Sequence, residues 1–360
     1  MGEPDGEARA KYADERSSDT EASRITGRLS LIPEGGDMAT ATDKASTAGP
    51  SPATEIPETG TAYLDGAFVP LADAKVSIAT HALQYGTGVF EGIRAYWNAS
   101  ADELYVFRLR EHFERMTNSC KIMRIELPGD PDQLSAIVVE LLQRNSFRTD
   151  VYIRPLAYKA GRVVKVALHG IRDGFGIYAF PMGGYLSTGG LVAHTTSWRR
   201  ISDEAIPARA KVTGAYVNTA LAVDDASAHG AEEAIFLTSS GHVSEGGGSN
   251  LYMVRDGTLV TPPVTDDILE GITRETIVGL ARELGYPVQE RSIDRTELFV
   301  ADEIFFCGTG AQVAPVVKVD GRPVGSGAIG PIATRVGDRY YALVRGDDVA
   351  HPEWRTAVYR

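Results

Sequence analysis

The sequence predicts a two-domain protein that combines helices and strands, with an α+β first domain and an α/β second domain. Three observations support this class. A chain of 360 residues is long enough for two domains of about 150 residues each once a polar tail is set aside. Runs with strand-like and helix-like spacing occur in both halves. A glycine-rich run between the halves, residues 181–190 (PMGGYLSTGG), breaks the pattern and predicts the interdomain linker.

Residues 1–60 are predicted to form a disordered tail. They contain a single aromatic residue, Tyr12, and consist mostly of small, polar and acidic residues, so they bury too little apolar surface to offset the cost of ordering. Their 12 acidic and 6 basic side chains account for half of the net charge of −12. The mildly acidic remainder argues against nucleic acid as a partner.

Hydropathy and cysteine content predict a soluble cytoplasmic protein with no membrane partner. No apolar stretch approaches the ~20 residues of a membrane span. The N-terminus also lacks the apolar core of a secretion signal. Cys120 and Cys307 are isolated from each other, which is typical of a reducing compartment.

The first domain is predicted to span residues 61–180. Residues 63–69 are typical of a hairpin with Asp65-Gly66 at its turn. Apolar residues at positions 109, 113, 116, 120 and 123 predict a helix over 109–124, and a second helix is expected over 134–145. Residues 151–158 and 176–180 are predicted strands, which completes an α+β arrangement.

The second domain is predicted to span residues 191–360. Its expected strands cover residues 191–195, 233–238, 251–255 and 303–307. Residues 273–284 are expected to form a helix, because Ile277, Leu280, Ala281 and Leu284 share one face.

One carboxylate lies beside a glycine-rich turn in the second domain. Residues 243–252 (VSEGGGSNLY) place Glu245 directly before three glycines, between two strand-like runs. Glycines remove side chains where another group must approach the backbone closely. Taken alone, the segment is more typical of a β-bulge or a flexible bend than of a binding site.

A candidate anion site precedes the helix of the second domain. Gly271-Ile272-Thr273 stands where that helix begins, and the free N–H groups at a helix N-terminus attract anions. A plain helix start, with glycine permitting the turn, is the alternative interpretation. The seven histidines show no metal-ligand spacing, so no metal site is predicted. The glycine pairs do not form a dinucleotide fingerprint.

Several separate segments together resemble one enzyme family. They are residues 77–94 (SIATHALQYGTGVFEGIR), 107–116 (FRLREHFERM), 152–155 (YIRP), 210–216 (AKVTGAY), 243–252, 269–274 (LEGITR) and 307–311 (CGTGA). In this order and spacing, the chain resembles the class IV, fold-type IV pyridoxal-phosphate aminotransferases from about Tyr63 onward, and within them the branched-chain type. The resemblance implies two domains with the cofactor, pyridoxal 5′-phosphate, in the cleft between them. It also implies at least a homodimer, in which a neighbouring subunit helps to close each site.

The resemblance assigns roles around the cofactor. Lys211 stands where the family has its Schiff-base lysine, which also carries the proton between the substrate Cα and the cofactor. Glu245 matches the partner of the pyridine nitrogen, and Tyr216 matches the tyrosine that hydrogen-bonds the phenolic oxygen. Without the resemblance, Lys211 would be interpreted as a surface lysine and Tyr216 as a core tyrosine. The remaining assigned residues bind the phosphate: Arg115, Gly271, Ile272, Thr273 and Thr309.

The resemblance also assigns a substrate pocket. Its wall would come from the first domain, with Tyr85, Phe90 and Gly92 as the apolar part, and Gly92 leaving room for a branched side chain. Tyr152 and Arg154 would orient the substrate, with Arg154 as the candidate for the second carboxylate of glutamate. Thr309, Gly310 and Ala311 would form the turn that contacts the substrate carboxylate. Tyr85 and Phe90 could instead belong to the first-domain core.

The predicted function is the transfer of the amino group of L-leucine, L-isoleucine or L-valine to 2-oxoglutarate by a ping-pong mechanism through pyridoxamine phosphate. Two departures leave the side-chain specificity open: residues 156–170 lack the Val-Gly-x-Gly loop of a typical branched-chain enzyme, and Gly310 replaces a common alanine. The alternatives are a related transaminase for an unusual amino acid in a specialised pathway, a D-amino acid or (R)-amine transaminase, and an aminodeoxychorismate-type lyase. A non-catalytic binding module is a further alternative that Lys211, Glu245 and Arg115 argue against.

Overall fold

The computed structural model describes residues 55–184, 186 and 189–360, so the predicted disorder of residues 1–54 lies outside the described residues. The described chain forms two large β-sheets with helices packed against them, which confirms the predicted α/β class. Residues 55–60 of the predicted tail run as coil into the first strand. The exact domain boundaries stay a prediction.

The first sheet is antiparallel and carries two long helices. Its order is β17-β5-β4-β6-β7-β1-β2, with β3 paired to β6. The strands are β1 (Thr61–Leu64), β2 (Ala67–Pro70), β3 (Gly88–Phe90), β4 (Ile93–Asn98), β5 (Glu103–Phe107), β6 (Val151–Lys159), β7 (Asp173–Pro181) and β17 (Arg355–Ala357). The helices are α1 (His81–Tyr85), α2 (Leu109–Met123) and α3 (Pro131–Asn145).

The predicted hairpin, both long helices and both strands of the first domain are confirmed. The turn between β1 and β2 has Asp65 and Gly66 at positive φ, the conformation that a tight hairpin turn needs. Helix α2 buries Leu109, Phe113, Met116 and Cys120, four of the five apolar positions that predicted it. Helix α3 begins three residues before its predicted start, because Asp130 and Gln133 form a capping box.

The second sheet is mixed. Its order is β10-β9-β8-β15-β14-β11-β12-β13, with β16 paired to β15. The strands are β8 (Leu191–Arg199), β9 (Glu233–Leu237), β10 (Val243–Gly246), β11 (Asn250–Arg255), β12 (Thr258–Thr261), β13 (Val288–Glu290), β14 (Glu303–Gly308), β15 (Gln312–Val319) and β16 (Arg322–Pro323). The helices are α4 (Tyr216–Ala228), α5 (Ile272–Glu283) and α6 (Pro331–Arg345). The four predicted strands and the predicted helix of this half are confirmed.

A parallel crossover positions the central helix of the second sheet. Strands β8 and β9 pair in parallel, and parallel neighbours need a long connection, here the loop after β8 followed by α4. Helix α4 packs its small buried residues, Ala222 and Ala226, against this part of the sheet. The loop between β8 and α4 carries Lys211, which lies five residues before the start of α4 at Tyr216.

The chain passes between the two sheets twice. The first passage follows β7, where the buried Arg94 guanidinium donates to the backbone carbonyls of Met182 and Gly183. The second follows α6, where Arg345 pairs with Asp150 at 2.7 Å and the chain returns to the first sheet as β17. Both passages are therefore fixed by an arginine.

Among the described residues, no helix is both long enough and apolar enough to cross a membrane.

Candidate active site

A cavity of about 460 Å³ lies between the two sheets. Strands β3, β6 and β7 of the first sheet form one wall. The loop after β8, the start of α4, the turn after β10 and the start of α5 form the other. Most of the predicted site residues line it: Phe90, Gly92, Arg115, Tyr152, Arg154, Lys211, Tyr216, Glu245, Gly271, Ile272, Thr273, Thr309 and Gly310.

Lys211 is held by both halves of the structure. Its backbone carbonyl accepts from the Phe90 N–H at 3.1 Å, and its own N–H donates to the Ser119 hydroxyl at 3.3 Å. The Lys211 ammonium donates to the Tyr216 hydroxyl at 2.6 Å and lies 5.0 Å from the centre of the Phe90 ring. The backbone contacts fix the amine inside the cavity, next to the tyrosine that the sequence had paired with it.

Glu245 lies at a β-bulge. The register between β10 and β9 shifts by one residue between Val243 and Gly246, so the bulge that was the alternative interpretation of this segment is present. A bulge redirects a side chain and need not compete with a functional role. Here it accompanies a buried carboxylate that lines the cavity.

Both oxygens of Glu245 are bound. Arg200 Nη2 contacts Oε1 at 2.7 Å, while the Asn250 amide and the Leu269 N–H donate to Oε2 at 2.9 and 3.1 Å. Burial raises the pKa of Glu245, and the positive charge of Arg200 opposes that rise. Lys211 and Arg115 act on Glu245 in the same direction as Arg200, so three cations favour its ionised form.

The opposite end of the site can bind an anion. Helix α5 begins at Ile272 after the N-cap residue Gly271, and no side chain caps it. The first N–H groups of the helix therefore have no partner within the helix and remain available to a ligand. The Thr273 hydroxyl and the turn at Thr309 line the same cavity. This geometry favours an anion site over the plain helix start.

Arg115 reaches this anion site from helix α2 in a fixed orientation. Its Nε and Nη2 atoms donate to the two carboxylate oxygens of Glu91 at 2.8 and 2.7 Å, and Nη1 donates to the Glu270 carbonyl at 3.0 Å. Glu91 is fully buried and also contacts His112 Nδ1 at 2.9 Å. Burial alone would raise the pKa of Glu91, but Arg115 and His112 outweigh it and hold that pKa well below its ordinary value of 4.5.

Replacement of Glu91 by glutamine is expected to lower the free energy of unfolding at pH 7 by about 3 kcal/mol, because it leaves Arg115 without its charged partner. A carboxylate with a lowered folded pKa stabilises the protein above its unfolded pKa. That contribution is lost as the pH falls from about 4.5 through the folded pKa. The variant should therefore lose less stability than the wild type as the pH falls from 7 to about 3, as measured by urea unfolding.

Glu114→Gln is the matched control for this prediction, because Glu114 lies on the same helix and forms an exposed pair with Arg110. Exposed pairs contribute little to stability, so this variant should unfold like the wild type. A Glu91→Gln protein as stable as the wild type at pH 7 would contradict the prediction.

The first sheet supplies the other wall of the cavity. Phe90 and Tyr152 line it, and Arg154 Nη2 donates to the Tyr152 hydroxyl at 3.0 Å. The Arg154 guanidinium also lies 4.6 Å from the centre of the Phe90 ring, and its buried Nε has no hydrogen-bond partner among the described residues. A buried donor without a partner favours a ligand oxygen at this position.

Gly92 makes room in a different way from the one predicted. A Cβ atom at this position would lie 2.1 Å from the Tyr152 hydroxyl. The space that glycine leaves is therefore occupied by Tyr152, and its benefit to a branched substrate is indirect.

Two predicted substrate residues are not brought to the cavity of this chain. Tyr85 lies on α1, is 37% exposed and packs against His81 with ring centres 4.6 Å apart. Ala311 follows the turn after β14 but is buried in the core of the second sheet. Neither residue is among those that line the cavity of this chain, so a substrate contact by either one stays a prediction.

Several residues that line the cavity were missed from the sequence. Arg200 directly follows β8 without a motif to mark it, and Ile206 and Pro207 lie in the loop before α4. Ile56, within the predicted tail, also lines the cavity. So does Glu233, an acidic residue at the start of β9 that no sequence signal had singled out.

One group of side chains among the described residues has the composition of a metal site. Single ligand atoms of His194, Asp225 and His229 lie within 4.8 Å of one another. The two imidazoles stack face to face, with centres 4.2 Å apart and an interplanar angle of 12°. The lone pair of an imidazole nitrogen lies in the plane of its ring. Because the two rings are stacked in nearly parallel planes, their lone pairs do not converge on one ion, and no metal is assigned here. The absence of a metal site stays a prediction.

Known proteins share both the sequence and the arrangement of the elements. Residues 88–319 match the family model for amino-transferase class IV. A probable branched-chain-amino-acid aminotransferase from Aquifex aeolicus is 43% identical over 300 residues, which cover 83% of this chain and 96% of that protein.

Two solved structures are similar over the same part of the chain. The branched-chain aminotransferase from Thermoproteus uzoniensis, crystallised with norvaline, has a TM-score of 0.81 and 44% identity, covering 84% of this chain and all of its own. The branched-chain amino acid aminotransferase from Thermobaculum terrenum, in its PLP-bound holo form, has a TM-score of 0.81 and 37% identity, covering 84% of this chain and all of its own.

Proposed function

Because the chain belongs to the class IV aminotransferases, we propose that it transfers the amino group of L-branched-chain amino acids to 2-oxoglutarate, with pyridoxal 5′-phosphate as its cofactor. The observation that carries this proposal is one cavity that joins an amine, a buried carboxylate and a free helix N-terminus. These are Lys211, Glu245 and the start of α5. Each suits a different part of the cofactor.

The residues present fit that cofactor. A cavity of about 460 Å³ is in the range of small-molecule sites. The uncapped start of α5 would hold the phosphate together with Thr273 and Thr309, while Arg115 adds positive charge. Glu245 would bind the protonated pyridine nitrogen, and Tyr216 the phenolic oxygen. Lys211 would hold the aldehyde carbon.

When bound, pyridoxal phosphate supplies an aldehyde that receives the amino group and a positively charged ring that withdraws electrons. Lys211 Nζ would take the proton from the substrate Cα and deliver it to the carbon of the cofactor that carried the aldehyde. The hydroxyl of Tyr216, 2.6 Å from that nitrogen, orients it for both transfers. Arg200, 2.7 Å from Glu245, favours the ionised form of this carboxylate, which suits it to hold a proton on the ring nitrogen.

Arg154 is proposed to bind the distal carboxylate of glutamate and 2-oxoglutarate, because its Nε is buried and free of partners among the described residues. Arg154→Met is expected to raise the KM for 2-oxoglutarate roughly tenfold to a hundredfold, the loss of one charged hydrogen bond. The rate of the half-reaction with L-leucine, which has no second carboxylate, should change less than about threefold by the same reasoning. Steady-state kinetics and single-turnover absorbance would measure the two effects.

Arg154→Lys serves as the control for geometry, because it keeps the charge but loses the planar two-point contact. The KM of this variant for 2-oxoglutarate should lie between those of the wild type and Arg154→Met. An equal loss with L-leucine and 2-oxoglutarate in either variant would contradict a role for Arg154 in carboxylate recognition.

The substrate proposal is tested with purified protein, added pyridoxal phosphate and a panel of amino donors. L-Leucine, L-isoleucine and L-valine should transfer their amino group to 2-oxoglutarate faster than D-alanine or (R)-amines. A preference for D-alanine or for the amines would overturn the proposed substrate class but not the transaminase activity. No transamination with any donor would overturn the function itself.

A transaminase for an unusual amino acid is the second candidate. The connection between β6 and β7 favours it, because this segment departs in sequence from the typical branched-chain loop and exposes Val164 and Val166. Slow turnover of all three branched-chain substrates, with faster turnover of a larger or more polar L-amino acid, would support this candidate.

The assembly and location are part of the proposal. We propose a cytoplasmic homodimer, because α1, the turn before it and the β6–β7 connection expose Leu83, Ile78, Val164 and Val166, and large exposed apolar patches are typical of interfaces. Cys120 and Cys307 are both free, which suits a reducing compartment. Light scattering that gives the mass of a single chain would contradict the dimer.

A further inference from the structure

A buried carboxyl group with no assigned role borders the cavity. Glu233 is the first residue of β9, is 5% exposed and lines the cavity beside Thr219 and Val223 of α4. Its Oε1 atom accepts two hydrogen bonds, one from the N–H of its neighbour Ala234 at 2.9 Å and one from the N–H of Gly247 at 3.0 Å. The second bond reaches into the glycine turn that follows Glu245.

The glycine turn is pressed against this carboxyl group. A Cβ atom on Gly247 would lie 2.7 Å from Glu233 Oε1 and 2.8 Å from Val223 Cγ2, so backbone and carboxyl are in direct contact. The turn connects β10 to β11, and its two ends are joined because Asn250 donates to Glu245. Gly247 and the Glu245 carboxylate therefore belong to one short connection whose ends are held together.

The carboxyl group of Glu233 lies between the glycine turn and helix α4, which follows the loop that carries Lys211. Thr219 and Val223 belong to α4, whose first residue is Tyr216, the partner of Lys211. Glu233 thus stands at the junction of two segments, one carrying Glu245 and the other leading from Lys211 and Tyr216. Burial raises the pKa of Glu233 to about 7, and the hydrogen bonds from the Ala234 and Gly247 N–H groups oppose this rise.

We propose that Glu233 is a positioning residue that fixes the glycine turn through Gly247, and thereby sets the affinity of the site for its cofactor. This inference rests on the proposed function. A neutral acceptor of the same shape would make the same two hydrogen bonds. The charge of Glu233 is therefore dispensable, whereas its reach to Gly247 is required.

The test measures cofactor affinity rather than rate. Holoenzyme is dialysed against a series of free pyridoxal phosphate concentrations, and the bound cofactor is read from its visible absorbance. Glu233→Ala should raise the dissociation constant about tenfold, the value of one buried hydrogen bond. Glu233→Gln should bind like the wild type. Glu233→Asp keeps the carboxyl group but is one carbon shorter, so it should bind the cofactor as weakly as the alanine variant.

Glu303→Ala is the matched control. Glu303 is another buried carboxylate of the second sheet that accepts two backbone N–H groups, from Ile332 and Ala333 at 3.0 and 2.7 Å, and it lies away from the cavity. Urea unfolding at saturating cofactor should show that this variant is destabilised. Its cofactor affinity should equal that of the wild type, because Glu233, unlike Glu303, contacts the turn.

The outcomes separate the inference from the proposed function. Wild-type affinity in Glu233→Asp overturns the inference, and so does weak binding in Glu233→Gln. An equal loss of affinity in Glu303→Ala also overturns it, since the effect would then follow stability alone. If Glu233→Ala does not fold, the aspartate and glutamine variants still decide. A wild-type protein that binds no pyridoxal phosphate refutes the proposed function instead.

Discussion

Replacement of Lys211 by alanine is expected to lower the rate of transamination by roughly 10⁴-fold, because one amine holds the cofactor and moves the proton. The fold should be retained, since the backbone of Lys211 makes the contacts to Phe90 and Ser119 and its side chain makes one hydrogen bond. The measurement is the single-turnover rate with L-leucine at saturating cofactor. A small added amine should restore part of the rate by replacing the missing nitrogen.

Lys121→Ala is the control, because Lys121 is an exposed lysine on α2. Its rate should equal that of the wild type. A Lys211→Ala rate within about tenfold of the wild type would place the base elsewhere, since general acid–base catalysis alone contributes more than this.

Replacement of Glu245 by glutamine is expected to lower the same rate on the order of 10²-fold, the typical effect of removing one preorganised electrostatic contact. Two losses combine in this variant. The ring nitrogen loses the carboxylate that keeps it protonated, and Arg200, whose side chain is only 12% exposed, is left without a charged partner. The free energy of unfolding should therefore fall as well, by about 3 kcal/mol.

The double variant Glu245→Gln, Arg200→Met separates these two losses. Removing Arg200 should restore much of the stability, because no unpaired charge is left, but it should restore none of the rate. Glu270→Gln, at an exposed carboxylate in the segment that leads to α5, is the control and should leave both quantities unchanged. Recovery of the rate in the double variant would mean that Glu245 serves only to neutralise Arg200.

The sequence predicted the elements whose signal is local. Helix α2 followed from five apolar positions, and the β1–β2 hairpin from its Asp65-Gly66 turn. The pairing of β15 between β8 and β14, and the return of the last strand to the first sheet, depend on contacts between distant segments. Such pairings leave no periodic pattern in a single sequence, so they could not be predicted.

The site shows the same division. Lys211, Tyr216 and Glu245 lie in segments that resemble a family, and the structure brings them to one cavity. Arg200 and Glu233 are ordinary charged residues at strand ends, and only the folded arrangement shows that each contacts the segment that carries Glu245. Tyr85 was predicted in the pocket wall from the resemblance, and in this chain it lies on the short helix α1 with 37% of its surface exposed.

The two passages of the chain between the sheets have a mechanical consequence. Each passage is a covalent tether, and the guanidinium groups of Arg94 and Arg345 fasten the chain close to where each tether leaves its sheet. The sheets are also joined by one buried apolar cluster, in which Tyr96 and Phe107 of the first sheet lie with Tyr252 and Phe305 of the second. Swinging one sheet away from the other would expose this cluster to water, so we expect the two sheets to move together and access to the cavity to depend on its loops.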